Sequence, residues 1–441
     1  MEIKKNIHKS KAKNEFVTAV AANTEGEIIE IEGFAAMGMA GSDFVPLTKN
    51  NTIDMPFGGE FMFLPDRIPI VYNIAAGRFE ALTENPYVSG EKIMPVAAFN
   101  SPGYTISYIS AYKEDDNAVF LPLFSYGAVG WSHGGFRSAA ILVDRERRQD
   151  LRLMQQDKVV SGVRKMRKKM PGNRLRAHLE KCALEYGCPA GKNFFLGRYE
   201  APLPTSQHCN ARCLGCISLQ EDSKLKSSQN RITFTPTPEE IAAVALEHIK
   251  KVDKSIVSFG QGCEGDPLLA ADVIEKAIKI IRSETKRGTI NINTNGSLPD
   301  IINHLFDAGL DSIRISLNSV RSKCYDAYFR PKGYSFSHVK KSIDIAAARG
   351  KFVSINYLNC PGFTDTPEEV EALILFIKKH GLNMIQWRNL NFDPLRYLDI
   401  MNKTARHSKP AGMQTTFKKI KKAFPKLKHG YFNPSKENFS L

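Results

Sequence analysis

The chain has 441 residues, 42% of them hydrophobic and 24% charged, with eight cysteines and a net charge of +15. That length exceeds one average core, so two or three domains are expected, and the composition is that of an ordinary soluble globular protein. The longest uncharged runs, Ile93–Tyr112 and Asn117–Phe136, are broken by Pro, Gly, Ser and Asn, which argues against a membrane span.

The amino terminus, MEIKKNIHKSKAKNEF, is basic without an apolar core, so a secretory signal is not expected. A cytoplasmic, reducing location follows, in which cysteines stay thiols or metal ligands. Residues 1–143 read as a β-rich domain. Short apolar or alternating runs (Glu27–Gly33, Glu60–Leu64, Ile68–Asn73, Tyr104–Tyr112, Val119–Phe124 and Ala139–Val143) are separated by turn residues. Residues 144–194 read as a basic helical connector with a break at Pro171-Gly172.

From Phe195 strand and helix alternate. Strands end at Leu203–Ser206, Ile256–Gly260, Ile290–Asn295, Ile313–Asn318, Val353–Leu358 and Ile385–Leu390. Helical segments lie between them at Glu239–Lys250, Ala270–Ser283, Pro299–Ala308, Phe336–Arg349 and Pro367–His380. Six such repeats over residues 195–395 imply a parallel sheet, because parallel neighbours need crossover helices; it is either doubly wound or a partial barrel. Residues 396–441 read as a basic tail with one amphipathic stretch, Thr416–Leu427.

The charge is concentrated. Asp144–Lys181 holds thirteen Lys/Arg against five Asp/Glu, and Met401–Leu441 ten against one, so the remainder is close to neutral. Such segments suit a polyanion such as RNA, or an acidic protein; a solvated helix face and a lysine-rich end are the plainer reading.

Directly after the first strand stands Cys209-Asn210-Ala211-Arg212-Cys213-Leu214-Gly215-Cys216. Three thiols in eight residues can wrap one metal centre with little loop-closure entropy, and sulfur ligands select zinc, copper(I) or an iron–sulfur cluster. Zinc would want a fourth ligand, for which His208 is adjacent. A [4Fe–4S] cluster on three cysteines keeps one iron open.

This C-x3-C-x2-C loop at the head of a six-fold β/α chain resembles the radical S-adenosylmethionine superfamily over about Pro202–Leu395. The resemblance implies a partial (β/α)6 TIM-like barrel and a [4Fe–4S] cluster on Cys209, Cys213 and Cys216. It further implies that S-adenosylmethionine is cleaved reductively to a 5′-deoxyadenosyl radical, which takes hydrogen from a substrate. Gly215 departs from the aromatic residue common before the last cysteine of that family.

Later strand ends carry the resemblance further. Gly260-Gln261-Gly262-Cys263-Glu264-Gly265-Asp266-Pro267 is similar to the family loop that receives the methionine amino group; Gly262 and Gly265 would let the backbone approach, with Glu264 or Asp266 as the acidic member. Asn293 and Asn295 after the third strand, and Ser316 and Asn318 after the fourth, resemble family positions that touch the methionine carboxylate and the ribose. Ser297 and Ser319 are also well placed to cap helices. On the last strand Arg388 would hold the cofactor carboxylate or substrate, with Asn391 and Asp393 as substrate candidates and Trp387 stacked or packed.

Cys182 and Cys188 lack local partners for a second cluster, and buried inert thiols are expected there. The function expected is a radical S-adenosylmethionine enzyme acting on a peptide, an RNA or a metabolite, with an acidic flavodoxin- or ferredoxin-type electron donor steered by the basic segments. The alternatives are an RNA-modifying enzyme of the same superfamily and a zinc-stabilised nucleic-acid-binding protein without catalysis.

Overall fold

Strands β16 (Ile256–Phe259) and β17 (Thr289–Thr294) are buried along their whole length, the mark of a parallel sheet covered on both faces. In the computed structural model, which describes residues 16–221 and 224–440, they belong to a seven-stranded sheet. Its order is β15 (Glu200–Pro202), β16, β17, β18 (Ser312–Leu317), β19 (Phe352–Asn359), β20 (Met384–Asn389) and β21 (Lys428–Gly430). Pairing is parallel in register, for example Asn293 opposite Arg314 and Ser316 opposite Asn356.

The chain divides into two compact units. One holds Asp144–Leu358, Ala372–Arg388 and the residues from Phe424 onward. Its helices begin with α1 (Gln156–Lys169), α2 (Arg174–Leu184) and α3 (Pro189–Leu196), followed by α4 (Pro238–Lys251), α5 (Ala271–Glu284) and α6 (Pro299–Ala308). Then come α7 (Ser322–Phe329), α8 (Phe336–Ala348) and most of α9 (Pro367–His380). The sequence dictates the helix starts: Thr237 caps α4 in a reciprocal capping box with Glu240, and Pro238 occupies the first turn.

The sheet is curled. Asn433, just past β21, donates to Glu200 Oε1 on β15 at 2.9 Å and to Ser258 Oγ on β16 at 3.3 Å, and accepts from Gln386 on β20 at 2.9 Å. One side chain reaches both edges only if the sheet bends into a half-barrel. The inward residues are polar and bonded to one another, Asn291 to Asn293 at 2.8 Å and Ser312 to Asn291 at 2.8 Å. They are the inner layer on which the strand ends stand.

His248 of α4 is fully buried, and its Nε2 lies 3.2 Å from the Tyr199 carbonyl, which fixes that nitrogen as the donor. Burial pulls its pKa down from 6.5 to about 4. The unfolded chain therefore binds a proton that the folded chain refuses, and stability falls as pH drops from 6.5 toward 4, by about 1.4 kcal/mol per pH unit. Urea midpoints at pH 7 and pH 5, followed by Trp387 in a Trp131→Phe background, will show a shallower pH slope in His248→Gln. Equal slopes would refute this source of acid sensitivity.

The other unit comprises the described residues up to Val143, with Asn359–Glu371 and Asn389–Ala423. Among its described residues are fourteen strands from β1 (Thr18–Asn23) to β14 (Ala140–Leu142), mostly one antiparallel twelve-stranded sheet. Val17, Ala19, Ala21, Ile31, Leu47 and Val71 form its core. Helices α10 (Pro394–Thr404) and α11 (Met413–Ala423) complete it.

Two expectations are corrected here. Val119–Phe124 is not a strand: Pro122 removes a donor, and the Leu121 N–H goes instead to the Asp393 carboxylate at 3.2 Å. The residues read as a tail, 396–441, are folded, giving α10, α11 and the seventh strand. Phe417 and Ile420 of α11 are buried while Lys418, Lys419, Lys421 and Lys422 face outward, so that part of the positive charge is a helix face. Among the described residues no helix is long and apolar enough to cross a membrane. The reading of the first fifteen residues lies outside the described chain.

Candidate active site

The three-cysteine loop leaves β15 and is bonded on every side to neighbouring strand ends. Its root is held by Glu264. One carboxylate oxygen accepts from the backbone N–H groups of Thr205 and Ser206 at 2.7 and 2.9 Å, the other from Gly260 and Gln261 at 2.8 and 2.7 Å. Four donors on one buried carboxylate clasp the ends of two adjacent strands. Burial raises the Glu264 pKa to about 7, opposed by those four N–H groups.

Next to the clasp the two chains touch through backbone. Gly265 N–H donates to the Ser206 carbonyl at 2.7 Å and Asp266 N–H to the His208 carbonyl at 2.8 Å. A Cβ on Gly265 would sit 1.9 Å from the His208 oxygen, so only glycine fits; a Cβ on Gly260, whose φ is +79°, would sit 1.7 Å from the Asn293 oxygen.

Asp266 is buried and also occupied. It accepts from the Asn295 N–H at 2.7 Å, the Thr294 hydroxyl at 2.8 Å and the Leu268 N–H at 3.1 Å, joining β16 to the end of β17. Burial is the main influence on its pKa and raises it, against those donors. Neither acidic residue expected at the amino-binding loop therefore presents a bare carboxylate: both are used to build the loop.

The cysteine segment is fixed from above and below. Asn210 donates to Ser297 Oγ at 3.0 Å and accepts from Asn295 Nδ2 at 2.7 Å. Arg212 and Leu214 donate backbone N–H groups to the Phe329 and Tyr328 carbonyls at the end of α7, at 2.9 and 3.0 Å. Gln220 binds the Leu214 and Cys216 carbonyls, and Arg231 Nη2 lies 3.5 Å from Cys216 Sγ. The Ala211 N–H lies 3.4 Å from Cys209 Sγ. Burial pushes the Cys209 thiol up to about 12, with Asp266 adding to it; burial also raises Cys213, followed by the charges of Cys209 and Cys216.

The remaining expected residues fall as follows. Asn293 is pinned, donating to the Gly260 carbonyl at 2.9 Å, and Asn318 donates to the Cys324 carbonyl at 3.1 Å. Ser316 is half-buried on β18. Arg388 stacks on the Tyr431 ring at 3.8 Å, and its buried Nε has no hydrogen-bond partner. Arg314 of β18, which sequence reasoning missed, donates to Gln386 at 2.8 Å and likewise has a buried Nε without a partner. Burial and the Arg388 guanidinium lower its pKa. Trp387 is packed core, donating to His429.

Asp393 is a correction. It lies in the other unit with Asn391, and its side chain is fully buried in an ion pair with Arg67 at 3.1 Å. It caps α10 besides, so its carboxylate does not face a substrate.

The site is thus a three-thiol loop clasped to the carboxyl ends of a parallel half-barrel, with glycine-backbone contacts at one side and two inward arginines. Residues 203–377 match the sequence profile of the Radical SAM superfamily. The chain is 25% identical over 199 residues to the GTP 3′,8-cyclase of Lactiplantibacillus plantarum, covering 44% of this chain and 54% of that one. It is 32% identical over 130 residues to human molybdenum cofactor biosynthesis protein 1, covering 29% and 19%. It therefore spans about half or less of the length of these curated relatives. It also superposes on the FeFe-hydrogenase maturase HydG of Carboxydothermus hydrogenoformans with a TM-score of 0.35 at 16% identity, over 64% of this chain and 70% of that one.

The cofactors of a radical SAM domain are a [4Fe–4S] cluster and S-adenosylmethionine. The residues present fit them. Three thiols stand in one loop with N–H donors aimed at two of the sulfurs, and Arg388 offers an unsatisfied buried donor to an anion.

Proposed function

We propose that the protein is a radical S-adenosylmethionine enzyme in which Cys209, Cys213 and Cys216 hold the cluster. The observation that carries this is the loop itself: the chain that bears the three thiols is tied by hydrogen bonds to the turns after β16 and β17 and to the end of α7, which gathers the three cysteines at one place. A cluster held on these cysteines would supply the electron for reductive cleavage of S-adenosylmethionine and so the hydrogen-abstracting chemistry of the site. The chain's own residues bind and orient. The backbone around Gly262 and Gly265 receives the methionine amino group, in a loop shaped by Glu264 and Asp266 rather than through their free carboxylates. Asn295, Ser316 and Asn318 line the ribose side with Asn293 bracing the turn, and Arg388 holds an anionic group of cofactor or substrate.

The β-rich unit, to which Asn391 belongs, is read as the substrate- or partner-recognition module, and the substrate as a peptide, an RNA or a metabolite. The exposed lysines and arginines of α1 and α11 suit an acidic flavodoxin- or ferredoxin-type donor, or an RNA in an RNA-modifying variant of the same chemistry. A cytoplasmic location accords with oxygen-sensitive thiols and such donors.

Anaerobically purified protein, reconstituted with iron and sulfide and reduced with dithionite, will form 5′-deoxyadenosine from S-adenosylmethionine, measured by mass spectrometry. The Cys209→Ala, Cys213→Ala, Cys216→Ala variant will form none. A colourless protein that carries zinc on this loop and leaves S-adenosylmethionine intact would favour a nucleic-acid-binding protein without catalysis.

A further inference from the structure

Three potential metal ligands, His178, Cys182 and Cys263, gather at a second place in the barrel unit, and a fourth cysteine, Cys188, is tied to Cys182 through its backbone. Cys182 and His178 lie one turn apart on α2, with Cys182 Sγ 3.6 Å from His178 Nε2. Cys263 arrives from the loop after β16, and the ligand atoms of His178, Cys182 and Cys263 all lie within 4.8 Å of one another. Cys188 stands at the amino end of α3, where its backbone N–H donates to the Cys182 carbonyl at 3.0 Å and brings the chain back toward the same cluster.

We propose that His178, Cys182 and Cys263 hold a zinc ion at a site separate from the three-cysteine loop, with Cys188 turning in as its fourth ligand on loading. Zinc bonds of about 2.3 Å to sulfur and 2.0 Å to nitrogen set the edges of a tetrahedron at roughly 3.5–3.8 Å, which the Cys182–His178 separation already meets. A thiolate and imidazole set is that of a structural zinc ion, and two of its thiols, Cys182 and Cys263, are buried. Binding one zinc(II) ion to three thiols and a neutral imidazole releases three protons and gives a site of charge −1. The surroundings suit a fixed centre: Phe234 stands edge-on to the His178 ring at 6.3 Å, and the Ile232 N–H holds the Cys263 carbonyl at 2.8 Å.

The position gives the ion a task. Cys263 immediately precedes Glu264, whose carboxylate clasps the ends of β15 and β16. A metal on Cys263 anchors the glycine–acid loop to α2 and α3, outside the barrel. Sequence spacing hid this, because Cys263 is remote from the other three and His178 is an unremarkable helical histidine until the fold closes.

The test is metal content and metal environment. Protein grown with added zinc and purified without oxygen will contain about one zinc per chain, unchanged in the Cys209→Ala, Cys213→Ala, Cys216→Ala variant. X-ray absorption at the zinc edge will show about three sulfur ligands and one nitrogen. Cys182→Ser, Cys263→Ser will lose the zinc while the three-cysteine loop still takes up iron. Should that variant fail to fold, cobalt(II) added to the metal-stripped wild type decides, through the intense visible bands of tetrahedral thiolate coordination. The proposal is overturned by wild-type protein that neither carries zinc nor binds cobalt, by zinc retained in Cys182→Ser, Cys263→Ser, by zinc lost with the three-cysteine loop, or by a Cys182–Cys263 disulfide in zinc-free protein.

Discussion

Gly265→Ala will abolish 5′-deoxyadenosine formation and leave the protein unable to retain iron after reconstitution, although its β-rich unit still melts as in the wild type. The added methyl would lie 1.9 Å from the His208 oxygen and 2.3 Å from the carbon behind it, and both obstacles are backbone rather than a side chain that could swing aside. The relief available is to push the chain at His208 outward, and Cys209 moves with it. That displacement breaks the Gly265–Ser206 and Asp266–His208 bonds together and unseats the cysteine loop from β16. Iron per chain and cofactor cleavage are the readouts. Wild-type iron loading in the variant would show that the loop is not held by this contact.

Arg67→Leu will destabilise the β-rich unit by about 3–5 kcal/mol, the range for breaking a buried ion pair by removing one partner. Arg67 has no exposed side chain and donates to the Asp393 carboxylate at 3.1 Å, the Glu114 carboxylate at 2.7 Å and the Pro65 and Val119 carbonyls. Its loss strands Asp393, which keeps only backbone donors at Leu121 and Arg396. The chain has two tryptophans, and only Trp131 lies in this unit, so a Trp387→Phe background lets urea unfolding of the unit be followed alone. An unchanged midpoint would mean that this ion pair does not hold the unit together.

The barrel was legible because its strands are apolar, short and ended by polar residues, while its helices carry capping residues and a 3.6-residue period. Pro238 and Thr237 announce α4 in four letters. The β-rich unit was only partly legible. Its first strand, Thr18–Asn23, is largely alanine, and β8 (Ile93–Phe99) contains a proline; neither shows the β-branched alternation from which strands are read. Pairing across the sheet decides them. Strand β21, Lys428–Gly430, is three residues long and has no apolar residue at all; it is fixed by the edge of β20.

At the site, sequence located the right loops but not the work of each side chain. A carboxylate that binds a ligand and one that gathers backbone N–H groups look alike in one dimension. Glu264 and Asp266 belong to the second kind, and Asp393 reads as a strand-end polar residue although it is a buried helix cap. Arg314 was overlooked because it sits inside a strand, where an isolated basic residue is usually an exposed one.

The β-rich unit is discontinuous: besides its amino-terminal part it needs Asn359–Glu371 and Asn389–Ala423. Arg67 and Asp393 are separated by 326 positions. On a ribosome moving at about 5–20 residues per second, Arg67 emerges tens of seconds before Asp393, the second of its two carboxylate partners. The Thr105 and Ile106 groups that bind Asn359 and Asn389 also wait for those partners. The earlier-made part of this unit is therefore completed only by later residues, and until they arrive Arg67 has Glu114 but not Asp393, and the Thr105–Ile106 stretch lacks its partners, a state that invites chaperone attention.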